Sequence, residues 1–212
     1  MFVRPCWVPK SPADTRRLLE ENSWALLVSN GPHGPLATNL PLMVDTQQTT
    51  DDRLVLVSHL AVANEHLQHL RRDPHNALAI YEGPWSYVTA SWYPQRQMPP
   101  TYYYTAVHCY GRLEFQEEPA LDASLEDLVR RMEAAYPNGW STQEVPRSEI
   151  TRRFTGIVGF RMYVERTEAK FKLGQDEPLR DALAVADVLN THAAPNDRTL
   201  SQMIRTQNSG RS

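Results

Sequence analysis

Cysteine is scarce in this sequence, and its scarcity excludes two classes of protein. Only Cys6 and Cys109 occur among the 212 residues. A small secreted domain stabilised by disulfides, or a zinc site built from paired cysteines, needs more cysteines at closer spacings. We therefore expect both cysteines to be reduced thiols.

Long apolar segments are missing as well. No window approaches the ~18–20 apolar residues that span a bilayer. The N-terminal stretch MFVRPCWVPK lacks the apolar core of a secretory signal. Hydrophobic residues nevertheless make up 41% of the chain and charged residues 22%, which allows a buried core. The composition predicts a folded cytoplasmic protein without membrane association.

The signatures of several functional classes are also absent. Neither G-x-G-x-x-G nor G-x-x-x-x-G-K-[ST] occurs, so no motif for a dinucleotide or a P-loop phosphate site is present. The formal charge of −3 argues against a uniformly basic nucleic-acid-binding protein, and no helix-turn-helix pattern is found. His66 and His69 lie three residues apart without a third ligand, which does not favour a zinc site.

Hydrophobic periodicity predicts an α+β protein. The predicted strands, six or seven in number, span 24–30, 36–45, 53–59, 76–83, 85–93, 101–117 and 154–173. The predicted helices span 11–22, 61–73, 120–136 and 178–190. Links between strands are too short for repeated parallel crossovers, so we expect an antiparallel barrel with flanking helices. One domain is expected over 1–190, followed by a loose polar tail over 191–212 with one helical turn near Leu200.

The segment SHLAVANEH combines side chains suited to binding an anion. Ser58 and His59 end a predicted strand and Asn64 opens a predicted helix, which brings a hydroxyl, an imidazole, an amide and free helix N–H groups close in sequence. The same pattern is equally typical of a capped helix start with Leu60 in the core. Spacing alone leaves both interpretations open.

The segment EAKFKLGQ, residues 168–175, poses a similar choice. In a strand, Lys170 and Lys172 share one face, and Phe171 and Leu173 share the other. Such a strand either shows a charged face to water or directs two ammonium groups at an anion.

Aromatic residues are dense between Trp85 and Tyr110. Aromatic side chains fill a core or a dimer interface more often than they stack on a flat ligand. This density therefore predicts packing first and a ligand pocket second.

Five segments together resemble the PaiB-like family, FMN-binding split-barrel proteins known as negative transcriptional regulators. The matching segments are ATNLPL at 37–42, SHLAVANEHLQHL at 58–70, ALAIYEGPWSYVTASWY at 77–93, PPTYYYTAVHCYGRLE at 99–114 and IVGFRMYVERTEAKFKLGQ at 157–175. They occur in the order typical of the family, and the resemblance extends to about residue 180.

The resemblance implies an antiparallel six-stranded split barrel with flanking helices, which forms a homodimer and binds FMN at the subunit interface. The flavin-binding residues that it implies are Thr38, Asn39 and Leu40 along the isoalloxazine and ribityl chain, Ser58, His59 and Asn64 around the phosphate, Trp92 and Tyr93 in the pocket wall, and Lys170, Lys172 and Gln175 in the basic C-terminal motif.

The C-terminal motif departs from the family pattern. It continues as Ser-Gln-Asn-Arg in the family and as Gly174-Gln175-Asp176-Glu177 in this chain. An acidic pair thus stands where the family has an arginine, a bidentate donor for phosphate.

The resemblance implies either a flavin-dependent oxidoreductase or a flavin-linked transcriptional regulator. Tyr103 and His108 are candidates for a general acid or base. The alternatives are a regulator without flavin and a haem-binding split-barrel protein with His59, His108 or His192 as the iron ligand. Direct binding to DNA has little support in the charge of the chain.

Overall fold

Seven strands form one sheet in the computed structural model, which describes residues 1–211. The strands are β1 (Trp24–Gly31), β2 (Gly34–Pro41), β3 (Met43–Val44), β4 (Val55–Ala61), β5 (Ala77–Val88), β6 (Thr101–Phe115) and β7 (Ile157–Lys172). Their order is β2-β1-β5-β6-β7-β4-β3, and the registers of β1 with β2 and β5, and of β4 with β3 and β7, are antiparallel. The predicted α+β class with an antiparallel sheet is confirmed, with one strand more than the six-stranded barrel that the resemblance implies.

Six α-helices accompany the sheet in residues 1–211. They are α1 (Pro12–Glu21), α2 (Glu65–Arg72), α3 (Glu118–Glu133), α4 (Arg147–Phe154), α5 (Leu179–Thr191) and α6 (Pro195–Asn208). The sequence pattern does not predict α4, because its eight residues include one buried side chain, Ile150. Within residues 1–211, no helix is long and apolar enough to cross a membrane.

The additional strand arises where the segment predicted as one strand over 36–45 changes its partner. β2 pairs with β1 as far as Pro41, which has no N–H group with which to continue the ladder. Met43 and Val44 then pair with β4. The change of partner divides the predicted strand into β2 and β3.

A single strand, β5, replaces the two strands predicted on either side of Gly83-Pro84. Gly83 is buried, and a Cβ atom there would lie 2.3 Å from Thr105 Oγ1. The glycine therefore permits a close approach of neighbouring strands and does not interrupt β5. The residues that follow β5 form a 3₁₀ turn at Ala90–Trp92, where a strand was expected.

The chain divides into two compact units, of which the first comprises residues 1–22, 81–108 and 168 onward. Its core contains buried residues of α5 and α6 and several large aromatic side chains. They include Tyr81, Tyr93, Tyr103, Phe171, Val185, Leu189, Leu200 and Ile204. Cys6, in the same unit, is exposed and free.

The loose tail expected at the C-terminal end is wrong, because Pro195–Asn208 form the helix α6. Leu200 and Ile204 lie one turn apart, and both are fully buried where α6 packs on α5. Ser201 on the same face is also buried, and its hydroxyl donates to the Ala186 carbonyl at 2.7 Å. The burial of these two apolar residues and the hydrogen bonds of polar side chains thus stabilise α6, although few of its residues are apolar. The domain boundary drawn before this helix stays a prediction.

The second unit comprises residues 23–80 and 109–167. It contains β1 to β4, α2 to α4 and segments of β5, β6 and β7. Its fully buried apolar residues include Leu27, Leu42, Leu56, Leu70, Phe160 and Met162. Cys109 is free and buried in this unit, and burial raises the pKa of its thiol to about 12.

Candidate functional site

The predicted flavin-binding residues fall in both units. The second unit contains Thr38, Asn39, Leu40, Ser58, His59 and Asn64, and the first contains Trp92, Tyr93, Lys170, Lys172 and Gln175. In the second unit a hydrogen bond joins two members of the set, Thr38 and Asn64. In the first unit the members contact residues outside the set. The assignment of these residues to a flavin stays a prediction.

In the second unit, four polar side chains form a connected set of hydrogen bonds, the Thr38 network, which consists of Ser29, Thr38, Asn64 and His66. Thr38 Oγ1 lies 2.9 Å from His66 Nδ1 and accepts from Asn64 Nδ2 at 3.2 Å. His66 Nε2 lies 2.8 Å from Ser29 Oγ. The structure therefore brings together Thr38 and Asn64, two residues that the sequence motif assigns to different parts of the flavin.

Strand β2 and the start of α2 position this network. Side chains alternate along β2, so Asn39 is exposed while Leu40 is buried and Thr38 is half-buried. Asn64 is the N-cap of α2, and its Oδ1 accepts from the His66 N–H at 2.9 Å. The capped helix start is therefore present, and the same amide also supplies the donor to Thr38.

His66 is the member of the network that the sequence reasoning missed as a site residue. It is 3% exposed, and each of its ring nitrogens lies within hydrogen-bond distance of a hydroxyl oxygen. Burial lowers the pKa of its imidazole, and the nearby His69 acts in the same direction, so the neutral ring is favoured. One signal could have found it: His66 lies four residues before Leu70, on the face that Leu67 and Leu70 bury.

Ser58 and His59 lie in surroundings unlike those expected for an anion site. The Ser58 hydroxyl donates to the Pro41 carbonyl, and both residues line a cavity of about 10 Å³ together with leucines of α3. A cavity of this volume accommodates about one water molecule and not a phosphate group. Burial also lowers the pKa of the His59 imidazole, which favours a neutral ring with no charge to offer an anion.

In the first unit, Lys170 and Lys172 lie beside aromatic rings in a group that we call the lysine edge, made of Trp7, Tyr104, Lys170 and Lys172. Lys170 is 8% exposed, and its Nζ lies 4.7 Å from the Trp7 ring centroid and 5.0 Å from that of Tyr104. Lys172 Nζ lies 5.8 Å from the Trp7 centroid and donates to Thr101 Oγ1. Lys170 is thus enclosed by aromatic faces, and Lys172 is the more exposed of the two cations.

The acidic pair that departs from the family motif has hydrogen-bond partners within this unit. Asp176 accepts from Trp7 Nε1 at 3.1 Å and from Arg4 Nη1 at 3.2 Å. Glu177 accepts from the Tyr103 hydroxyl. These hydrogen bonds link the turn at residues 174–177 to the N-terminal segment and to β6. Gln175 forms a hydrogen bond within the same turn, because its Oε1 accepts from the Leu173 N–H at 2.6 Å.

Glu177 lies in a buried pocket with Tyr93 and Tyr103. Burial raises the pKa of the Glu177 carboxyl, although the hydrogen bond from Tyr103 opposes the shift. Burial and the adjacent carboxyl raise the pKa values of both phenols. Tyr103, a candidate for a general acid or base, is fully buried, so it does not reach a substrate as that role requires. The structure indicates that the pocket stabilises the fold.

We expect Glu177 to give the protein a pH-dependent stability that Glu177→Gln removes. Since its folded pKa is raised, the folded state binds more protons than the unfolded state between the two pKa values. Its contribution is therefore fully present at low pH and falls as the pH rises through the folded pKa. The measurement is urea unfolding of wild type and Glu177→Gln across this pH range. The free energy of unfolding of wild type should fall relative to that of Glu177→Gln as the pH rises. Free energies of unfolding that change with pH in parallel for the two proteins would contradict the burial of Glu177. Glu165→Gln, at an exposed position, serves as the control.

Trp92 and Tyr93 differ in their surroundings. The Trp92 ring packs edge-on against the His192 ring, with their centroids 5.9 Å apart. His192 in turn bonds Asp197 through Nδ1, at 2.7 Å. Tyr93 is buried in the Glu177 pocket, so of the two residues only Trp92 presents part of its ring at the surface.

Comparison with known proteins identifies a family and, among the curated relatives, a protein of similar length. A family model described as "Putative FMN-binding domain" matches residues 1–166. The chain is also similar to the protease synthase and sporulation protein PAI 2 of Bacillus subtilis, with 28% identity over 204 residues that cover 96% of each chain. The sequence Glu168 to Gln175 lies beyond the family model but within the length shared with this relative.

Solved structures with a similar fold were also found. A conserved hypothetical protein of Mycobacterium tuberculosis superposes with a TM-score of 0.58 at 19% identity, covering 84% of this chain and 94% of its own. A flavocytochrome of Azotobacter vinelandii superposes with a TM-score of 0.56 at 14% identity, covering 78% and 69%. At these identities the likeness shows a shared fold.

Proposed function

We propose, from the premise that this chain belongs to the FMN-binding domain family, that it holds FMN and passes electrons through it as a flavin-dependent oxidoreductase. The family model covers residues 1–166 of the 212, and it confirms both the family suggested by the motifs and FMN as its cofactor. The predicted split-barrel fold is also confirmed by the solved structures that share it. The electron-transfer role is the step that goes beyond the family.

The Thr38 network is the observation that carries this proposal. It places a half-buried hydroxyl and a capping amide inside the two motifs predicted to contact flavin, with the exposed Asn39 beside them on β2. These groups fit the carbonyl, ring-nitrogen and hydroxyl groups of a flavin. FMN, when bound, accepts and returns one or two electrons. The chain would bind the cofactor and orient it, and its neutral His66 brings no net charge to the site.

Ser58 and His59 do not fit the phosphate of FMN, although the motif resemblance implies them there. The cavity that they line has a volume of about 10 Å³, which leaves no room for a phosphate group. Within the proposal, FMN therefore contacts the second unit through the Thr38 network and not through Ser58 and His59.

Titration with FMN and with riboflavin tests the proposal on the full chain. We expect a flavin absorbance spectrum, a thermal shift, and tighter binding of FMN than of riboflavin because riboflavin lacks the phosphate. Thr38→Val should weaken the binding of FMN and of riboflavin alike, by about fivefold, because the hydroxyl that it removes is assigned to the flavin ring and not to the phosphate. Thr50→Val removes a hydroxyl from an exposed residue and is the matched control. No spectral change and no thermal shift with either flavin would refute the proposal.

A flavin-linked regulator is the second candidate function. It is supported by the 28% identity to the protease synthase and sporulation protein PAI 2 of Bacillus subtilis, whose name refers to protease synthesis and to sporulation. A regulator would bind FMN as described but would show no turnover with chemical electron donors and acceptors. Steady-state oxidation assays of the FMN-loaded chain therefore separate the two candidates.

The proposal includes a cytoplasmic homodimer. Trp85, Tyr87 and Tyr102 are each about half exposed, and the rings of Trp85 and Tyr87 on β5 both contact the ring of Tyr102 on β6. Large aromatic side chains that are exposed together mark interaction surfaces. This patch supports a second copy of the chain as the partner, and the free thiols Cys6 and Cys109 are consistent with a reducing compartment.

A further inference from the structure

The direction of each hydrogen bond in the Thr38 network follows from two fixed points. The first is Asn64, whose Oδ1 accepts from the His66 N–H at 2.9 Å. Its side-chain atom nearest Thr38 Oγ1, at 3.2 Å, is therefore the NH₂ nitrogen, which can only donate. Thr38 Oγ1 consequently accepts one bond from Asn64.

The second fixed point is Ser29. It is 6% exposed, and among residues 1–211 its hydroxyl has one hydrogen-bond partner, His66 Nε2 at 2.8 Å. If Nε2 carried the ring proton, the buried Ser29 proton would have no acceptor, which is a costly arrangement. Ser29 therefore donates to Nε2, and the proton of the neutral ring is on Nδ1.

With the proton on Nδ1, His66 donates to Thr38 Oγ1 across 2.9 Å. Thr38 Oγ1 then accepts two bonds, one from His66 and one from Asn64, and its own proton must point away from both. Thr38 is half-buried, so that proton can reach solvent or a ligand, whereas the proton of Ser29 cannot.

We propose that His66 is a positioning residue that fixes the Thr38 hydroxyl as a hydrogen-bond donor toward a bound flavin. The inference rests on the proposed FMN binding and adds to it the direction of one hydrogen bond, from the Thr38 hydroxyl to the flavin. The opposite tautomer would draw the Thr38 proton to Nδ1 and would present an acceptor to the ligand. A donor at this position selects the carbonyl oxygens and unprotonated ring nitrogens of an isoalloxazine.

The tautomer is tested first, on the wild-type chain without FMN. In a spectrum that correlates the ring nitrogens of ¹⁵N-labelled histidine with the ring carbon-bound protons, the His66 resonances are assigned by their loss in His66→Gln. We expect a protonated Nδ1 and an unprotonated Nε2. A protonated Nε2 would overturn the inference whether or not FMN binds. The measurement does not depend on FMN binding by wild type or by any variant.

A double-mutant cycle tests the role of the tautomer in FMN affinity. Thr38→Val removes the hydroxyl, and His66→Gln removes the Nδ1 donor while keeping a partner for Ser29. Each change should raise the Kd for FMN about fivefold. Both together should also raise it about fivefold, because His66 acts through the Thr38 hydroxyl. His66→Asn, which places an amide donor near the Nδ1 position, and Thr38→Ser should retain most of the affinity.

The outcomes separate this inference from the function on which it rests. If wild type binds FMN but the double variant weakens binding about 25-fold, the two residues act independently and only the inference fails. If wild type does not bind FMN, the proposed function fails and the role of His66 fails with it. A protonated Nδ1 with fivefold non-additive losses supports both.

Discussion

Replacing Trp7 with alanine is expected to lower the free energy of unfolding by about 3–5 kcal/mol, the range found for large aromatic side chains removed from a core. Trp7 is 7% exposed and packs edge-on against Phe2, with ring centroids 6.2 Å apart. Its ring also lies 4.8 Å from the Arg4 guanidinium carbon and 4.7 Å from Lys170 Nζ. The substitution removes apolar burial and these cation–π contacts together.

Two further variants identify which of these interactions matters. Trp7→Phe keeps an aromatic face for the lysines but loses the hydrogen bond from Nε1 to Asp176, and should cost about 1–2 kcal/mol. Trp24→Ala removes a tryptophan that is 64% exposed, and should change stability by less than about 1 kcal/mol. Urea unfolding monitored by circular dichroism gives all three values. A loss below about 1 kcal/mol for Trp7→Ala would show that the N-terminal segment is not fixed on the lysine edge in solution.

The second large effect is expected for Gly174→Ala, which should destabilise the fold by about 2–4 kcal/mol. Gly174 has φ +81°, a left-handed conformation that costs alanine about 1 kcal/mol. A Cβ atom there would also lie 2.5 Å from the Tyr103 hydroxyl oxygen and 2.8 Å from the Ala182 Cβ. Because Tyr103 is fully buried and bonds Glu177, its ring has little freedom to move aside.

Gly210→Ala is the matched control for the backbone part of this effect. Gly210 has φ +82°, nearly the value at Gly174, and a Cβ atom there would meet nothing within 4 Å. It should therefore cost about 1 kcal/mol, and the remainder at Gly174 measures the clash with Tyr103. Thermal or urea unfolding of both variants supplies the comparison. Equal losses would show that the Glu177 pocket opens to accept a methyl group.

Local patterning was sufficient to predict most of the sheet. In β4 the run from Val55 to Leu60 is almost wholly buried, as its apolar character predicts. In β7 Phe171 is buried on the face opposite Lys170 and Lys172, as the alternation in EAKFKLGQ predicts. Such segments are predictable because a residue's burial follows from its own neighbours in sequence.

The sequence was less informative where burial depends on distant partners. The helix α6 has two fully buried apolar residues, Leu200 and Ile204, and takes the rest of its support from hydrogen bonds to other segments. The burial of Gly83 in β5 depends on Thr105, more than twenty residues away. Pattern reasoning tests only near neighbours, so it assigned a tail to the first and a break to the second.

The candidate site shows the same limit. The motif resemblance pointed to Thr38 and Asn64, which the structure joins. It did not point to His66, although His66 lies in the matching segment 58–70, or to Ser29, since their roles arise from contacts across 28 and 37 residues. The motif resemblance placed Lys170 among the flavin-binding residues, whereas alternation shows only which face a side chain shares and not what covers that face. Only the tertiary structure shows the rings of Trp7 and Tyr104 around it.

The unequal burial of the two cysteines makes this protein convenient for site-specific labelling. Maleimides react with thiolates, and the raised pKa and burial of Cys109 keep its sulfur protonated and inaccessible near neutral pH. Cys6 is exposed and is the direct neighbour of Trp7 in the 3₁₀ turn Pro5–Trp7. A fluorophore attached there, without mutation of the chain, would therefore report on the environment of the lysine edge.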